Sequence, residues 1–405
     1  MKKRNNILVL TYWSYKDALI QSYTLPYVRQ IRNIVSDESR IFVVTFDQPS
    51  QALSEDEKRS VQESGKKEGI DVITLSYVKL NLIAPFKVLA YLLKLWYLIV
   101  SNRIDTIHAW CMPAGSLAYI LSILTGRRLI IDSYEPQAEA MVENGTWDKS
   151  GLKFKIQFYF EKKLSHHAKV IISATEGMRE YAIRKYHAHF KKFYVKPACV
   201  DLETFDLSMK KDSSLVAENG FNDKIVCVYA GKFGGIYLTF EVFELFAEAE
   251  KFWGDKFRVL LLTNHNENEL KEWAKQSGFD YGKIVRKFVS HSDIPKYIGL
   301  ADFAITPVKP IPTKRYCTPI KDGEYWAMGL PIIITKNISD DSDIISENKI
   351  GYVLQDLSTA EYKKCIQEIS TLLTAKDNTE ERIRAIANQY RNFSIANKIY
   401  TEIYR

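Results

Sequence analysis

The chain is an α/β protein whose sequence predicts two doubly wound parallel sheets in tandem. Three observations lead there. Short apolar runs alternate with helical patterns along all 405 residues, as in strands joined by crossover helices. The alternation lapses once, near residue 200, and then restarts. The length suits two or three domains, each large enough for its own core.

The first unit is expected over 1–200. Its strand candidates are 7–11, 41–46, 71–75, 106–110, 128–132, 170–173 and 193–196. Helical patterns at 23–34, 86–100, 115–124 and 152–164 separate them. The segment 86–100, FKVLAYLLKLWYLIV, has fifteen residues against the roughly 20 that cross a bilayer. Lys87, Tyr91 and Lys94 share one stripe and the rest is apolar. This reads as a helix packed mostly into a core, with an interfacial helix dipping into lipid as the alternative. Residues 197–205 follow neither period, and 210–223 are polar. The second unit is expected over 201–380, with strands at 225–229, 259–263, 284–288, 303–306, 331–335 and 351–354 and a helical tail at 380–405.

Composition narrows the function. Apolar residues make up 46% and charged residues 26%, the mix of a soluble globular protein. The net charge of +7 is uneven, with +10 over 1–200 and −3 over 201–405. The basic half suits an anionic membrane or acceptor, or serves solubility alone. No nucleic-acid-binding signature is present, so nucleic acid is not expected as a partner. The five cysteines are scattered and odd in number, the usage of a reducing cytoplasm. A strand-like run follows the first six residues directly, so no signal peptide is expected. The expected location is cytoplasmic, with peripheral contact at the inner face of the membrane through the basic half.

Three segments carry chemistry. In the run from Thr318 to Pro331, Thr318 is the expected N-cap and Pro319 the first helical residue. Gly329 stops the helix, and Pro331 leads into an apolar strand. Lys321 and Glu324 share a face, with Glu324 roughly 4.5 Å further along the axis. A helix N-terminus favours anions. The spacing fits a diphosphate at the tip with a ribose diol on the carboxylate, or else an ordinary surface ion pair. In Val228-Tyr229-Ala230-Gly231-Lys232-Phe233-Gly234-Gly235 a strand runs into a glycine turn carrying a cation. Such a turn lets backbone N–H groups approach phosphate, or merely closes a tight loop. The third segment, 286–295, is a strand-to-helix turn containing Phe288 and Val289.

These segments resemble the retaining GT-B glycosyltransferases of family 4 (group 1). The run 319–331 fills every fixed place of the family's P-x-K-x-x-E-Y-x-A-x-G-x-P signature: Pro319, Lys321, Glu324, Tyr325, Ala327, Gly329 and Pro331. The stretch 197–205 resembles the P-x-x-V-D-x-x-x-F linker between the family's lobes. The resemblance implies a GT-B fold, two Rossmann-like lobes facing across a cleft, with the tail 380–405 packing back on the first. It implies sugar transfer from a nucleotide-sugar to a glycan or lipid-linked acceptor in cell-surface polysaccharide assembly. Retention, no cofactor and no essential metal go with it. Lys232 and Lys321 would stabilise the leaving diphosphate. Gly231, Gly234, Thr318, Pro319, Ile320 and Glu324 would bind the donor, and Phe288 and Val289 would meet the base. Two places depart from the family. Tyr316 stands where many members carry a first glutamate, and Tyr237 where many carry a second lysine.

In the first unit, loops at the carboxyl ends of strands are the natural walls of a site. Ser14, Lys16, His108, Asp132 and Glu135 lie there and would face a sugar or an acceptor hydroxyl, although Asp132 also reads as a turn cap and His108 as a core histidine. Asp341-Ser342-Asp343 has the spacing of a metal-binding D-x-D but sits among turn and helix-start residues. His187 and His189 have no third ligand near in sequence. Two other classes stay open: a non-catalytic nucleotide-sugar or glycan-binding protein, and a sugar-nucleotide epimerase on the same fold.

Overall fold

The computed structural model describes residues 4–79, 84–375 and 378–405. The chain divides into two compact units. The first holds the residues up to Lys196 together with Ser394–Arg405, and the second is Pro197–Phe393.

The first unit runs β1 (Ile7–Leu10), α1 (Leu25–Ile34), β2 (Ile41–Asp47), α2 (Glu55–Lys67), β3 (Ile70–Ser76), α3 (Ala84–Ser101), β4 (Thr106–Trp110), α4 (Met112–Thr125), β5 (Arg128–Tyr134), α5 (Gln137–Glu143), α6 (Leu152–His167), β6 (Val170–Ser173), α7 (Gly177–Tyr186) and β7 (Phe193–Val195). The strands form a seven-stranded sheet in the order β3-β2-β1-β4-β5-β6-β7, with parallel pairing throughout. The order reverses between β1 and β4, which puts a topological switch point at the sheet's centre. β1, β2 and β4 are buried at every residue, which is why they read as unbroken apolar runs.

The second unit runs α8 (Ser213–Glu218), β8 (Ile225–Ala230), α9 (Phe240–Trp253), β9 (Phe257–Leu262), α10 (Glu267–Ser277), β10 (Ile284–Lys287), α11 (Ile294–Ile298), β11 (Phe303–Thr306), α12 (Ile320–Ala327), β12 (Ile332–Thr335), α13 (Asp341–Asn348), β13 (Gly351–Leu354), α14 (Thr359–Thr374) and α15 (Thr379–Arg391), before α16 (Phe393–Tyr404). Its six-stranded sheet has the order β10-β9-β8-β11-β12-β13 and is also parallel. Here the switch point lies between β8 and β11. One core layer lies around Tyr325, Trp326 and Met328, and another around Phe243, Phe246 and Phe257.

Three expectations need correction. The first unit ends at Lys196 rather than at 200, because Val200 bonds to the second unit: its N–H donates to the Arg391 carbonyl at 2.7 Å. The tail does not pack back as one piece from 380. Arg391, 1% exposed, pairs with Asp341 and donates to the Ala198 carbonyl at 3.1 Å. That pins α15 in the second unit. Asn392 is extended, and only the chain from Ser394 onward joins the first unit. Finally, α3 is not mostly core. Phe86 is 73% exposed and Tyr97 68%, and only Ala84, Leu95 and Ile99 are buried. A helix apolar on nearly all sides carries no signal for which side packs.

α16 is held by a buried polar cluster. Its Tyr400 hydroxyl donates to Asp132 Oδ2 at 2.7 Å, and its Tyr404 hydroxyl lies 2.7 Å from His108 Nδ1. Lys196 Nζ stands 3.3 Å from Asp132 Oδ1 and 3.6 Å from the centre of the Tyr27 ring. Breaking a buried pair leaves an uncompensated charge. Lys196→Met should therefore destabilise the first unit by about 3–5 kcal/mol, read as a lower urea midpoint. An unchanged midpoint would contradict this role for the pair.

Glu161 is a second buried group. Burial pushes its carboxyl from 4.5 up to about 8, although the Tyr186 hydroxyl and the Ala138 N–H donate to it. Its protonated form suits the fold, so this contribution is complete below 4.5 and is lost as pH rises through about 8. The melting temperature of the first unit should fall across that window, and Glu161→Gln should flatten the fall. Equal slopes in the two proteins would refute the assignment.

Candidate functional site

The switch point of the second sheet brings together the turn after β8 and the start of α12. The Gly231 N–H donates to the Leu262 carbonyl at 3.1 Å, which ties the turn to β9. A Cβ built on Gly231 would lie 2.3 Å from Lys321 Nζ and 2.9 Å from the Tyr229 hydroxyl. A side chain at 231 would therefore crowd the Lys321 ammonium and the Tyr229 hydroxyl. Gly234 serves a different need, a φ of +79 that few side chains tolerate.

α12 starts one residue later than expected. Pro319 is the N-cap, with no side-chain cap bond, and Ile320 is the first helical residue. Pro319 has extended ψ and so cannot sit inside the helix. The Thr318 hydroxyl lies 3.2 Å from the Ser339 hydroxyl instead of capping. Three neighbours then fix the helix. The Tyr325 hydroxyl accepts the Ala230 N–H at 2.9 Å. Asp322 accepts from the Thr306 hydroxyl inside the core. Gly323 packs against the Arg391 side chain. Burial, then the neighbouring Asp341, push the Asp322 carboxyl well above the usual range.

Lys321 sits between two tyrosine rings, 4.7 Å from the centres of both Tyr229 and Tyr237. Among the described residues it has neither a hydrogen bond nor an ion pair, and the same holds for Glu324. Burial lowers the Lys321 pKa from 10.5 to about 8, against the pull of Asp322 and Glu324. Burial likewise raises Glu324 from 4.5 to about 7, against the pull of Lys321. The site holds a half-buried ammonium and a half-buried carboxylate one turn apart, each with a shifted pKa, a mark of candidate functional sites. Tyr237 reaches its place because its segment is stitched to the chain after β11. Tyr237 and Val308 form an antiparallel bridge, and the Lys309 N–H donates to the Ile236 carbonyl at 2.9 Å. The sequence marks Tyr237 only as a departure from a lysine. Its role as one wall of the Lys321 cage, like that of Tyr229, appears only in the structure.

The other expected donor residues lie along the same carboxyl edge of the sheet. Lys232 is exposed, with its carbonyl bonded to the Tyr229 hydroxyl. Phe288, just past β10, is 77% exposed, while Val289 packs on the core. Ile320 is half-buried. Among the described residues no hydrogen bond or ion pair joins the Lys232 or Phe288 side chain to the Lys321 cage.

The first-unit residues are arranged differently from expectation. His108 and Asp132, expected to face a sugar or an acceptor hydroxyl, are 0% and 1% exposed beneath α16. Burial lowers the His108 pKa from its ordinary value, against the pull of Asp132. Ser14 is buried too, its hydroxyl accepting the Gln48 N–H at 2.9 Å. Lys16 is exposed but paired with Glu57 at 2.8 Å. Glu135 is half-buried just past β5.

The D-x-D carboxylates face arginines, Asp341 toward Arg391 and Asp343 toward Arg315. Among the described residues no three His, Cys, Asp or Glu side chains converge as a metal site.

The cage makes its own prediction. In a pH titration of 13C-labelled lysine side chains, one signal should titrate near pH 8 and vanish in Lys321→Arg. Tyr237→Leu admits water and should move that value back toward 10.5. If no lysine titrates well below its ordinary value, the cage account fails.

Residues 27–197 match the model of a glycosyl transferase 4-like domain, and residues 312–399 that of a glucosyltransferase 3-like C-terminal domain. No curated protein matches the chain closely enough to count as a relative. Among solved structures, a glycosyltransferase from Rickettsia africae is 14% identical with a TM-score of 0.72, over 99% of this chain and 98% of that one. HepE from Anabaena, in complex with UDP, is 14% identical with a TM-score of 0.70, over 98% and 99%. WaaG, a glycosyltransferase involved in lipopolysaccharide biosynthesis, is 12% identical with a TM-score of 0.70, over 98% and 99%. The chain has the GT-B fold of these structures, and both domain matches are to glycosyltransferase models, the first of them 4-like.

Proposed function

We propose that the protein is a retaining glycosyltransferase that moves a sugar from a nucleotide-sugar to a glycan or lipid-linked acceptor in cell-surface polysaccharide assembly, without an essential metal. The observation that carries this reading is Lys321, an ammonium at the tip of α12 with no carboxylate bound to it. The donor diphosphate would lie against Lys321 and the first N–H groups of α12. As the glycosidic bond loosens, charge builds on the departing phosphate, and a preorganised cation is worth most there. Glu324 would accept the ribose hydroxyls and position the donor. Lys232, exposed on the neighbouring turn, would close on the same diphosphate. Phe288 offers a free ring to the base, with the backbone at Val289 beside it. The complex of HepE with UDP, on the same fold, favours uridine diphosphate sugars as the first donors to try. Glu135 is the first residue to test on the acceptor side.

Calorimetric titration with UDP-sugars checks the donor site. Wild type should bind, and Glu324→Ala should bind more weakly with an unchanged melting temperature. Equal affinity in the two proteins would remove Glu324 from the site. Lys321→Ala should lower turnover, read as release of free nucleoside diphosphate, by about 10²–10³. Binding without release in wild type would favour a non-catalytic binding protein, which Tyr316 at the place of the family's first glutamate allows.

The pH dependence has a definite sign. Lys321 is charged below about 8 and Glu324 above about 7. The free-enzyme profile of kcat/KM should therefore rise to a maximum between those values and fall on both sides. A flat profile across that window would contradict these roles.

A further inference from the structure

We infer that one helical face of the first unit, built from α3, α4 and α6, docks on the surface of an anionic lipid bilayer. This follows from the first unit alone and holds whatever reaction the second unit supports.

α3 packs on α4, and α4 packs on α6, so the three helices form one layer. Each leaves apolar groups in water. On α3, Leu89 is 55% and Leu93 60% exposed, beside Phe86 and Tyr97. On α4, Leu124 is 59% exposed, and on α6, Leu152 is 71% exposed. Exposed apolar groups gathered on helices that pack side by side mark an interaction surface.

The charges choose the occupant. Exposed lysines stand among the apolar groups: Lys87 and Lys94 on α3, and Lys153, Lys155, Lys162 and Lys163 on α6. α3 and α4 contain no acidic residue, and the one acid of α6, Glu161, is buried. A symmetric contact with a second copy would set lysines against lysines. An anionic bilayer satisfies both features, taking apolar side chains below the headgroups and lysines at their level. Trp96 and Tyr97 on α3 and Tyr159 on α6 are at least 40% exposed, and such side chains favour the membrane interface.

The helix lies on the membrane rather than crossing it. α3 has 18 residues and a mean hydropathy of 1.4, close to the requirement of roughly 20 residues for a span. However, Leu95 and Ile99 are buried in the unit, and Lys94 is exposed midway along the helix. Spanning would strip the first two from their packing and place the third at the bilayer centre.

Vesicle co-sedimentation tests this. Wild type should pellet with phosphatidylcholine vesicles containing about a third phosphatidylglycerol, and not with phosphatidylcholine alone. Leu89→Glu/Leu93→Glu, both at exposed positions, should lower the bound fraction by about tenfold with an unchanged unfolding midpoint. Wild type remaining in the supernatant with anionic vesicles would overturn the inference, as would equal binding by the double variant. A dimer seen by light scattering and dissolved by the same two substitutions would give the face to a second copy instead, and would overturn it as well.

Discussion

A lysine ammonium drawn partly out of water without a carboxylate partner is costly, and the carboxyl edge of the second sheet is arranged around one. The cage of Lys321 needs four things at once. Residue 231 is a glycine, whose missing side chain leaves room for the ammonium. Tyr229 must face it from β8, and Tyr237 from a segment bridged to Val308. α12 must start at Ile320, which the Tyr325 bond to Ala230 and the buried Asp322 secure from below. Ring faces stabilise a cation without neutralising it. The charge therefore remains available, and a diphosphate is the kind of partner that would use it.

The first unit uses the same residue types to the opposite end. Lys196 and Asp132 form a pair with almost no exposure, and the tyrosines around them come from α1 and α16. The Lys196 and Asp132 charges meet each other inside the fold, and the Tyr400 bond to Asp132 holds α16 in place. The contrast explains why a lysine at a strand end and a lysine at a helix tip, so similar in sequence, have different fates. One is neutralised by its neighbours and the other is only shielded from water.

Most of the architecture was legible because parallel strands buried on both faces appear as continuous apolar runs. The restart near 200 was equally plain, and the P-x-K-x-x-E segment did form a helix tip in the structure. What could not be read depended on distant parts of the chain. His108 and Asp132 lie at strand ends, where sites form, but α16 covers them from more than 260 residues away. The packing side of α3 was hidden because its apolar residues surround the helix. The Lys321 cage was hidden because Tyr237 depends on a bridge to β11's far end. The one-residue shift of the α12 cap goes with the extended backbone of Pro319, and Thr318 meets Ser339 across 21 residues.

The central claim is that Lys321 meets the phosphates of a nucleotide. Calorimetry of UDP binding near pH 8.5, repeated in buffers of different ionisation enthalpy, tests it most directly. Free Lys321 titrates near 8, so a bound diphosphate would raise its pKa and draw a proton from the buffer. The account predicts net proton uptake on binding in wild type and none in Lys321→Arg, whose guanidinium is charged throughout. Binding without proton uptake in wild type, or equal uptake in both proteins, would contradict it.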